Sequence, residues 1–240
     1  MIGVLQSRTD ASGWHELKCI YESLGVLYSD ILVCNIANPR MQKQKIVRFG
    51  RSVDAIIIGG LGEVGYGERN KLKKAAFDRM RKETIPALRT LIKEEKPMLG
   101  ICFGHQLISE ALHEEVVHDP ERAEVGIRKV YLYAEALHDP VFKGLKGSFE
   151  TVMAHKDRVV AFPKDVVPLA YSHECMVQAY RYKNMVYAVQ FHPEMTEEDY
   201  NYRLSFNSSY LAKADKGMIH SHHLQGRRLL RNFINIVAST

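Results

Sequence analysis

One cysteine lies in a sequence context that could give it chemistry. Cys102 follows a short apolar run that ends at Ile101, and residues 104–112 continue with apolar side chains at helical spacing. This pattern predicts a strand, a sharp turn and a helix whose positive N-terminal end favours the thiolate. Gly100 and Gly104 flank the cysteine, as expected where side chains would crowd a tight turn. Because most isolated cysteines are buried core residues, a nucleophilic role requires a base elsewhere in the chain.

A candidate base occurs about ninety residues later. His192, Pro193 and Glu194 directly follow an apolar strand that ends at Phe191. An imidazole can take the thiol proton, and a carboxylate two residues away can hold the imidazole's tautomer and orientation. A lone His-Pro-Glu is more often a surface turn, because proline ends strands everywhere. In combination with the turn at Cys102, it predicts a Cys-His-Glu catalytic triad of Cys102, His192 and Glu194.

The composition is that of an ordinary globular protein. With 240 residues, 46% hydrophobic and 25% charged, the chain can form one large α/β domain or two small ones. The formal charge is only +5, and the basic residues between positions 69 and 82 are mixed with acidic ones. This mixture indicates a solvated helix face and argues against nucleic-acid binding.

Cysteine spacing and hydropathy indicate the compartment. The four cysteines lie far apart with no paired spacing, which predicts neither a disulfide framework nor a metal site. No stretch approaches the roughly 20 apolar residues that cross a bilayer. We therefore expect a cytoplasmic protein with no membrane association, no metal and no cofactor.

Buried strands alternate with helices in the first part of the chain. Apolar runs predict strands at residues 2–5, 26–33 and 53–58 before the strand that ends at Ile101. A helix is predicted at residues 14–24, and a charged helical segment at 69–94 is expected to be interrupted or kinked at Pro86. This order predicts an α/β fold with a doubly wound, mostly parallel sheet, flanking helices and sites beyond the carboxyl ends of the strands.

The rest of the chain predicts a β-rich section and a helical end. Five glycines lie between residues 59 and 67, but neither a phosphate loop nor a dinucleotide fingerprint is matched. Short strands are expected as a small antiparallel extension or flap, at residues 116–118, 127–133, 149–153, 159–162, 177–182 and 186–191. Residues 196–240 have a helical pattern. No internal repeat or linker is evident, so residues 1–240 are predicted to form a single domain.

Two motifs together resemble a known family. The segments Gly-Ile-Cys-Phe-Gly-His-Gln at 100–106 and Gln-Phe-His-Pro-Glu at 190–194 resemble the paired signature of class I, triad-type glutamine amidotransferases. The resemblance extends from the first strand to the last helix. Residues 154–159 and 173–179 are most similar to the glutaminase subunits and domains of GMP synthetases, although related stand-alone members share them.

The resemblance implies roles for the triad and the oxyanion. Cys102 would attack the side-chain amide of glutamine and form a γ-glutamyl thioester. His192 would take the thiol proton and deliver a proton to the departing ammonia, and Glu194 would orient the imidazole of His192. The backbone N–H groups of Gly60 and Phe103 would form the oxyanion hole.

The resemblance also implies how glutamine is held. Gln106 would bind its polar end, and the backbone around Ala154 and His155 would hold its α-carboxylate. His155 and Asp157 either form a structural turn or contact a synthetase, and we favour the contact.

Several positions depart from the family pattern. The loop usually written Ser-Gly-Gly-Pro reads Ile-Gly-Gly-Leu at 58–61, and Ala154 replaces a serine. Residues 196–225 form a predicted insertion, either a lid or a docking surface. It includes a histidine cluster at 220, 222 and 223, for which a solvated segment is favoured over a metal site.

Three functions compete. The first is a glutaminase subunit that delivers ammonia to a separate, ATP-dependent synthetase of the GMP synthetase kind. The second is a free-standing γ-glutamyl hydrolase or transferase for a larger γ-glutamyl substrate, motivated by the altered loop and the insertion. The third is a non-catalytic binding module, which an intact Cys, His and Glu set disfavours.

Overall fold

A computed structural model describes residues 1–62, 64–204 and 224–239 of the chain. The strands are β1 (Ile2–Gln6), β2 (Ile31–Asn35), β3 (Ala55–Ile58), β4 (Met98–Ile101), β5 (Val116–His118), β6 (Glu124–Leu132), β7 (Ser148–His155), β8 (Asp157–Val159), β9 (Val166–Tyr171), β10 (Ala179–Tyr182) and β11 (Val186–Val189). The helices are α1 (Ala11–Leu24), α2 (Lys43–Arg51), α3 (Lys71–Lys93), α4 (Phe103–Ala111), α5 (Glu197–Leu204) and α6 (Gly226–Val237).

A central sheet of nine strands carries the fold. Its order is β2-β1-β3-β4-β11-β10-β9-β6-β7. The strands from β2 to β11 in this order are parallel, and β10, β9, β6 and β7 continue the sheet in antiparallel fashion. A separate antiparallel pair joins β5 to β8. The predicted fold class, a doubly wound sheet with a small antiparallel extension, is confirmed.

Helices cover both faces of the parallel strands and pack against them through apolar side chains. On one face, Leu17 and Ile20 of α1 and Phe233 of α6 pack in one cluster with inward side chains of β1, β3 and β4. On the other face, residues of α2, α3 and α4 form a second cluster. Strands β3 and β4 are buried along their whole length, as parallel strands between two helical layers should be. Within the described residues, no helix has the length and apolar character that crossing a bilayer requires.

Two predicted boundaries in the first part of the chain were wrong. The strand expected at 26–33 is β2, which begins at Ile31, because Tyr28–Asp30 form a short 3₁₀ turn in which Asp30 accepts the N–H of Leu27. Pro86 does not interrupt its helix, since α3 runs through it from Lys71 to Lys93, and the alternative of a kink at Pro86 stays a prediction. Residues before and after Pro86, Phe77 and Leu91 among them, are buried in one cluster, and this packing favours a continuous helix.

The β-rich section also differs from the prediction in detail. Strand β9 was not predicted, because Pro168 lies inside it and proline disfavours the interior of a strand. Pro168 pairs with Tyr180 next to a register irregularity, a place where a missing N–H is tolerated. The strand expected at 159–162 is β8, which ends at Val159, the residue where the predicted strand begins.

Candidate active site

Cys102 forms a strained turn between β4 and α4. Its φ of 53° and ψ of −99° are unusual for a residue with a side chain, and only 8% of the residue is exposed. The glycines on either side allow the turn. A Cβ on Gly100 would come within 2.5 Å of the backbone of Gly104, and a Cβ on Gly104 would come within 2.3 Å of the carbonyl oxygen of Ile58. The sequence prediction of a glycine-flanked elbow therefore has a direct steric reason.

Replacing Gly104 with alanine is expected to destabilise the protein. Because the contact is with the backbone of β3, the clash cannot be relieved by a side-chain rotation, and we expect a loss of about 1–3 kcal/mol in the free energy of unfolding. Urea denaturation followed by circular dichroism measures this change. Gly147→Ala is the matched control, since a Cβ there meets no atom within 4 Å and stability should stay within about 0.5 kcal/mol. Equal stabilities of the two variants would contradict the steric account.

His192 and Glu194 form a buried pair just beyond the end of β11. His192 Nδ1 lies 2.8 Å from Glu194 Oε1, and the His192 N–H donates to the carbonyl of Val152 in β7 at 2.8 Å. Both residues are at most 2% exposed. The predicted pair is thus assembled in a dry environment, which strengthens the electrostatic interaction between its members.

The surroundings favour the charged forms of both members. Burial lowers the pKa of His192, but the Glu194 carboxylate and the Cys102 side chain outweigh burial and raise this pKa to about 10. Burial raises the pKa of Glu194, but the His192 charge and its hydrogen bond overcome this and hold the pKa below its usual range. An imidazolium between a sulfur and a carboxylate is the arrangement that a cysteine nucleophile requires.

Gln190 contacts Cys102, a role that the sequence pattern did not assign. Its side-chain amide donates to Cys102 Sγ at 3.6 Å, while its Oε1 lies 3.2 Å from both His105 Nδ1 and Gln106 Nε2. His105 is fully buried, and burial lowers its pKa to about 3, so it is neutral. The only signal in the sequence is proximity, because Gln190 lies two residues before His192.

The two predicted oxyanion donors differ in their surroundings. The N–H of Phe103 is at the first position of α4, where helical N–H groups have no partner within the helix. The N–H of Gly60 instead donates to Glu16 Oε1 of α1 at 2.9 Å. Glu16 is 1% exposed and is paired with Arg8, whose Nε lies 3.1 Å from the same oxygen. Nothing in the sequence pattern distinguished Glu16 from the other charged residues of a predicted helix.

A cavity of about 360 Å³ opens in front of Cys102. Its lining brings together Cys102 with the predicted substrate-binding residues Phe103, Gln106, Ala154 and His155. The rest of the lining includes residues of the glycine-rich segment, namely Leu61, Gly62, Val64, Gly65, Gly67, Glu68 and Arg69. The structure thus places these predicted residues around one space, whereas Gly60 lies beside His192, with 3.2 Å between a Cβ built on Gly60 and His192 Cε1.

The glycine-rich segment is hydrogen-bonded to Asp157, another residue of the cavity lining. Asp157 accepts the N–H of Tyr66 at 3.3 Å and lies 2.6 Å from His118 Nδ1. A Cβ at 65 would come within 2.7 Å of Asp157 and one at 67 within 2.5 Å of the His118 ring, so a larger residue there would displace these side chains. His155 is 2% exposed and lies 3.3 Å from Glu124. Its buried side chain is therefore not placed to contact another chain, contrary to the favoured interpretation.

The described part of the predicted insertion packs beneath the triad. Helix α5 contacts α1 through a relay in which Arg203 Nε lies 3.1 Å from His15 Nδ1 and His15 Nε2 lies 3.3 Å from Asp199. Cys19 lies 3.6 Å from His15 Nε2, so His15, Cys19 and Asp199 have the proximity of metal ligands. Because Arg203 donates to Nδ1, Nε2 carries the proton and serves as a donor to Asp199, which does not suit a metal ligand. The predicted histidine cluster at 220–223 lies outside the described residues.

Comparison with known proteins agrees with this geometry. A family model described as glutamine amidotransferase class-I matches residues 20–211. A glutamine-hydrolysing GMP synthase subunit of Methanococcus maripaludis is 38% identical over 110 residues, 45% of this chain and 56% of that protein. Its counterpart from Sulfurisphaera tokodaii is 33% identical over 153 residues, 63% of this chain and 73% of that protein. The chain thus spans little more than half the length of the Methanococcus relative.

Solved structures show the same fold. A glutamine amidotransferase from Thermotoga maritima superposes with a TM-score of 0.68 at 16% identity, and the match covers 100% of this chain and 99% of that one. At this identity the likeness concerns the fold alone. The extent of the family match carries the assignment: this chain belongs to the class I glutamine amidotransferase family.

Proposed function

We propose that this protein hydrolyses the side-chain amide of glutamine through a thioester on Cys102. The observation that carries the proposal is the placement of Cys102 on a strained elbow, facing a cavity and beside a buried His192–Glu194 pair. Cys34 and Cys175 lack this environment. Burial raises the pKa of Cys34 to about 11 and that of Cys175 to about 12, which keeps both as thiols.

The triad residues account for every bond change. Cys102 Sγ attacks the amide carbon, and the negative charge that develops on the carbonyl oxygen is received by backbone N–H groups, with Phe103 as one donor. The C–N bond then breaks, and His192 delivers a proton to the departing nitrogen, which leaves as ammonia. A water molecule, deprotonated by His192, attacks the thioester carbon, so that glutamate and the free cysteine are released. Glu194 keeps Nδ1 of His192 protonated throughout.

The cavity wall supplies the contacts that glutamine needs. Gln106 Nε2 donates to the carbonyl of Asp157 at 3.1 Å, which holds its amide at the cavity. From there we expect it to bind the polar end of the substrate. The backbone at Ala154 and His155 forms the adjoining wall and is expected to hold the α-carboxylate.

We further propose that the ammonia is consumed by a separate synthetase. The support is the similarity to proteins named as glutamine-hydrolysing subunits of GMP synthase, since the word subunit implies at least one further chain. The partner would activate its acceptor with ATP and accept ammonia from this protein. Purification of the native protein with its bound partners tests this part, and an ATP-dependent amination driven by glutamine should accompany the complex.

Glutamate release and covalent labelling test the hydrolysis itself. The purified protein should release glutamate from glutamine faster than from a panel of larger γ-glutamyl amides and peptides. A glutamine-like diazo-ketone should alkylate Cys102 alone, as read by mass spectrometry of the digested protein, and excess glutamine should slow this labelling. Cys34 and Cys175 serve as internal controls, because their raised pKa values keep them as thiols, which should stay unmodified.

The outcomes separate the competing functions. Preference for a larger γ-glutamyl compound would favour a free-standing hydrolase or transferase, for which the cavity next to residues 61–69 leaves room. Absence of both turnover and labelling at Cys102 would leave only a binding module.

A further inference from the structure

A buried carboxylate occupies one of the two proposed oxyanion donors. Glu16 Oε1 accepts the N–H of Gly60 at 2.9 Å and the Nε of Arg8 at 3.1 Å. The opposite end of the same glycine is also held, because Ser7 Oγ donates to the Gly60 carbonyl at 2.5 Å. Glu16 thus holds the peptide unit that carries the Gly60 N–H, and Ser7 separately holds the next unit, which carries the Gly60 carbonyl.

Gly59 and Gly60 lie against the Glu16 carboxylate. A Cβ built on Gly59 would come within 2.7 Å of Glu16 Oε2, and one built on Gly60 would lie 3.4 Å from Glu16 Oε1 and 3.2 Å from His192 Cε1. Glu16, Gly60 and the ring of His192 are thus immediate neighbours. A carboxylate this close would repel the negative charge that forms on a substrate carbonyl oxygen, and it competes with that oxygen for the N–H.

We propose that Glu16, held by Arg8, is a positioning residue that blocks the Gly60 oxyanion donor in the resting protein and must release it for rapid turnover. This proposal rests on the proposed glutamine hydrolysis. It goes beyond that function because it assigns control of the rate to an ion pair outside the triad.

Only one of the two carboxylate oxygens of Glu16 is hydrogen-bonded within the described residues, which makes release of Glu16 from Gly60 feasible. Within the described residues Glu16 Oε2 is buried and accepts no hydrogen bond. The terminal nitrogens of Arg203, from α5, are likewise buried and donate none. Burial and the Arg8 charge lower the pKa of Arg203, and the Glu16 and Glu194 charges act in the opposite direction. Arg203 is therefore a second buried cation whose charge interacts with the Glu16 carboxylate.

The test compares variants that weaken or remove the block. Glu16→Gln keeps an acceptor for Gly60 but removes the charge, and a neutral acceptor forms a weaker hydrogen bond. The double variant Arg8→Met/Glu16→Leu removes the whole ion pair, so that neither member is left as a buried charge without the other. Ser7→Ala is the matched control, because it loosens the Gly60 carbonyl and leaves the N–H on Glu16.

A gain in rate is the readout that a merely structural residue would not give. Since one oxyanion donor contributes about 10²–10³ in kcat, we expect the double variant to raise the kcat for glutamine at least about 10-fold with KM changed less than about 3-fold. Glu16→Gln should give a smaller rise, and Ser7→Ala should give none. The thermal unfolding midpoint of each variant verifies that it is folded.

Two failures are distinguishable. Variants that are folded and are labelled at Cys102 by the diazo-ketone, but turn glutamine over no faster than the unaltered protein, overturn the block and leave the proposed hydrolysis standing. If the unaltered protein and all variants neither release glutamate nor label at Cys102, the proposed function fails, and the block fails with it.

Discussion

Replacing Cys102 with serine is expected to lower the kcat for glutamine hydrolysis by about 10⁴-fold or more. Removing one member of a nucleophile–base unit costs nearly as much as removing all of them, because the members act together. Serine retains the size and the hydrogen-bonding ability of the side chain, so it should preserve the elbow. Its hydroxyl, however, is ionised far less readily than a thiol beside a cationic imidazole.

The measurement is glutamate release under saturating glutamine, with detection limits set low enough to follow a loss of about 10⁴-fold. Cys34→Ser is the matched control, since Cys34 lies on strand β2 at the edge of the sheet and its Sγ contacts Met41. This control should retain the full rate within about 2-fold. If Cys102→Ser turned glutamine over at a rate close to that of the control, the thioester mechanism would be wrong.

The position of the nucleophile and its base could be predicted because local rules determine them. Gly100 and Gly104 mark a turn where a Cβ would strike backbone atoms, and His192-Pro193-Glu194 places a base and its orienting group within three residues. Parallel strands end at one edge of a sheet, and adjacent β4 and β11 therefore bring Cys102 and His192 together. Each step depends on near neighbours in sequence or on a general rule of sheet topology.

The surroundings of the triad could not be predicted in the same way. Glu16 is one of several charged residues in a helical pattern, and its contact with Gly60 joins residues 44 positions apart. The face of α1 that turns Glu16 inward depends on how this helix packs on the sheet, which the helical periodicity of the sequence alone does not determine. Pro168 is a second example, because its acceptance within β9 depends on an irregular pairing with β10. Tertiary packing decides such cases over local propensity.

Replacing Glu194 with glutamine is expected to lower kcat by about 10²–10⁴-fold and to weaken the dependence of stability on pH. Activity falls because a neutral amide can hold the imidazole in the wrong tautomer and no longer stabilises its charged form. Stability changes because the carboxylate is the largest favourable influence on the imidazolium. Without Glu194, the pKa of His192 is expected to fall well below about 10, because only the Cys102 side chain then opposes the effect of burial.

The sign of the pH effect follows from the two pKa values of His192. In the unaltered protein the folded-state pKa is raised from 6.5 to about 10, so the stabilisation is fully present below pH 6.5 and is lost as the pH rises through about 10. In Glu194→Gln the folded-state pKa lies closer to 6.5, so less stabilisation is present below pH 6.5 and less is lost as the pH rises. The difference in unfolding free energy between the two proteins, on the order of a few kcal/mol, should therefore be largest near pH 6 and shrink towards pH 10.

Urea denaturation from about pH 6 to about pH 10 and the NMR titration of the His192 Cε1 proton measure these quantities independently. Glu121→Gln, at an exposed position, is the control and should follow the unaltered protein at every pH. A His192 that titrates near 6.5 in both the unaltered protein and Glu194→Gln would show that the buried carboxylate does not hold the imidazolium. The role proposed for Glu194 would then fail even if Cys102 proved essential, because the nucleophile would be activated without a charged base beside it.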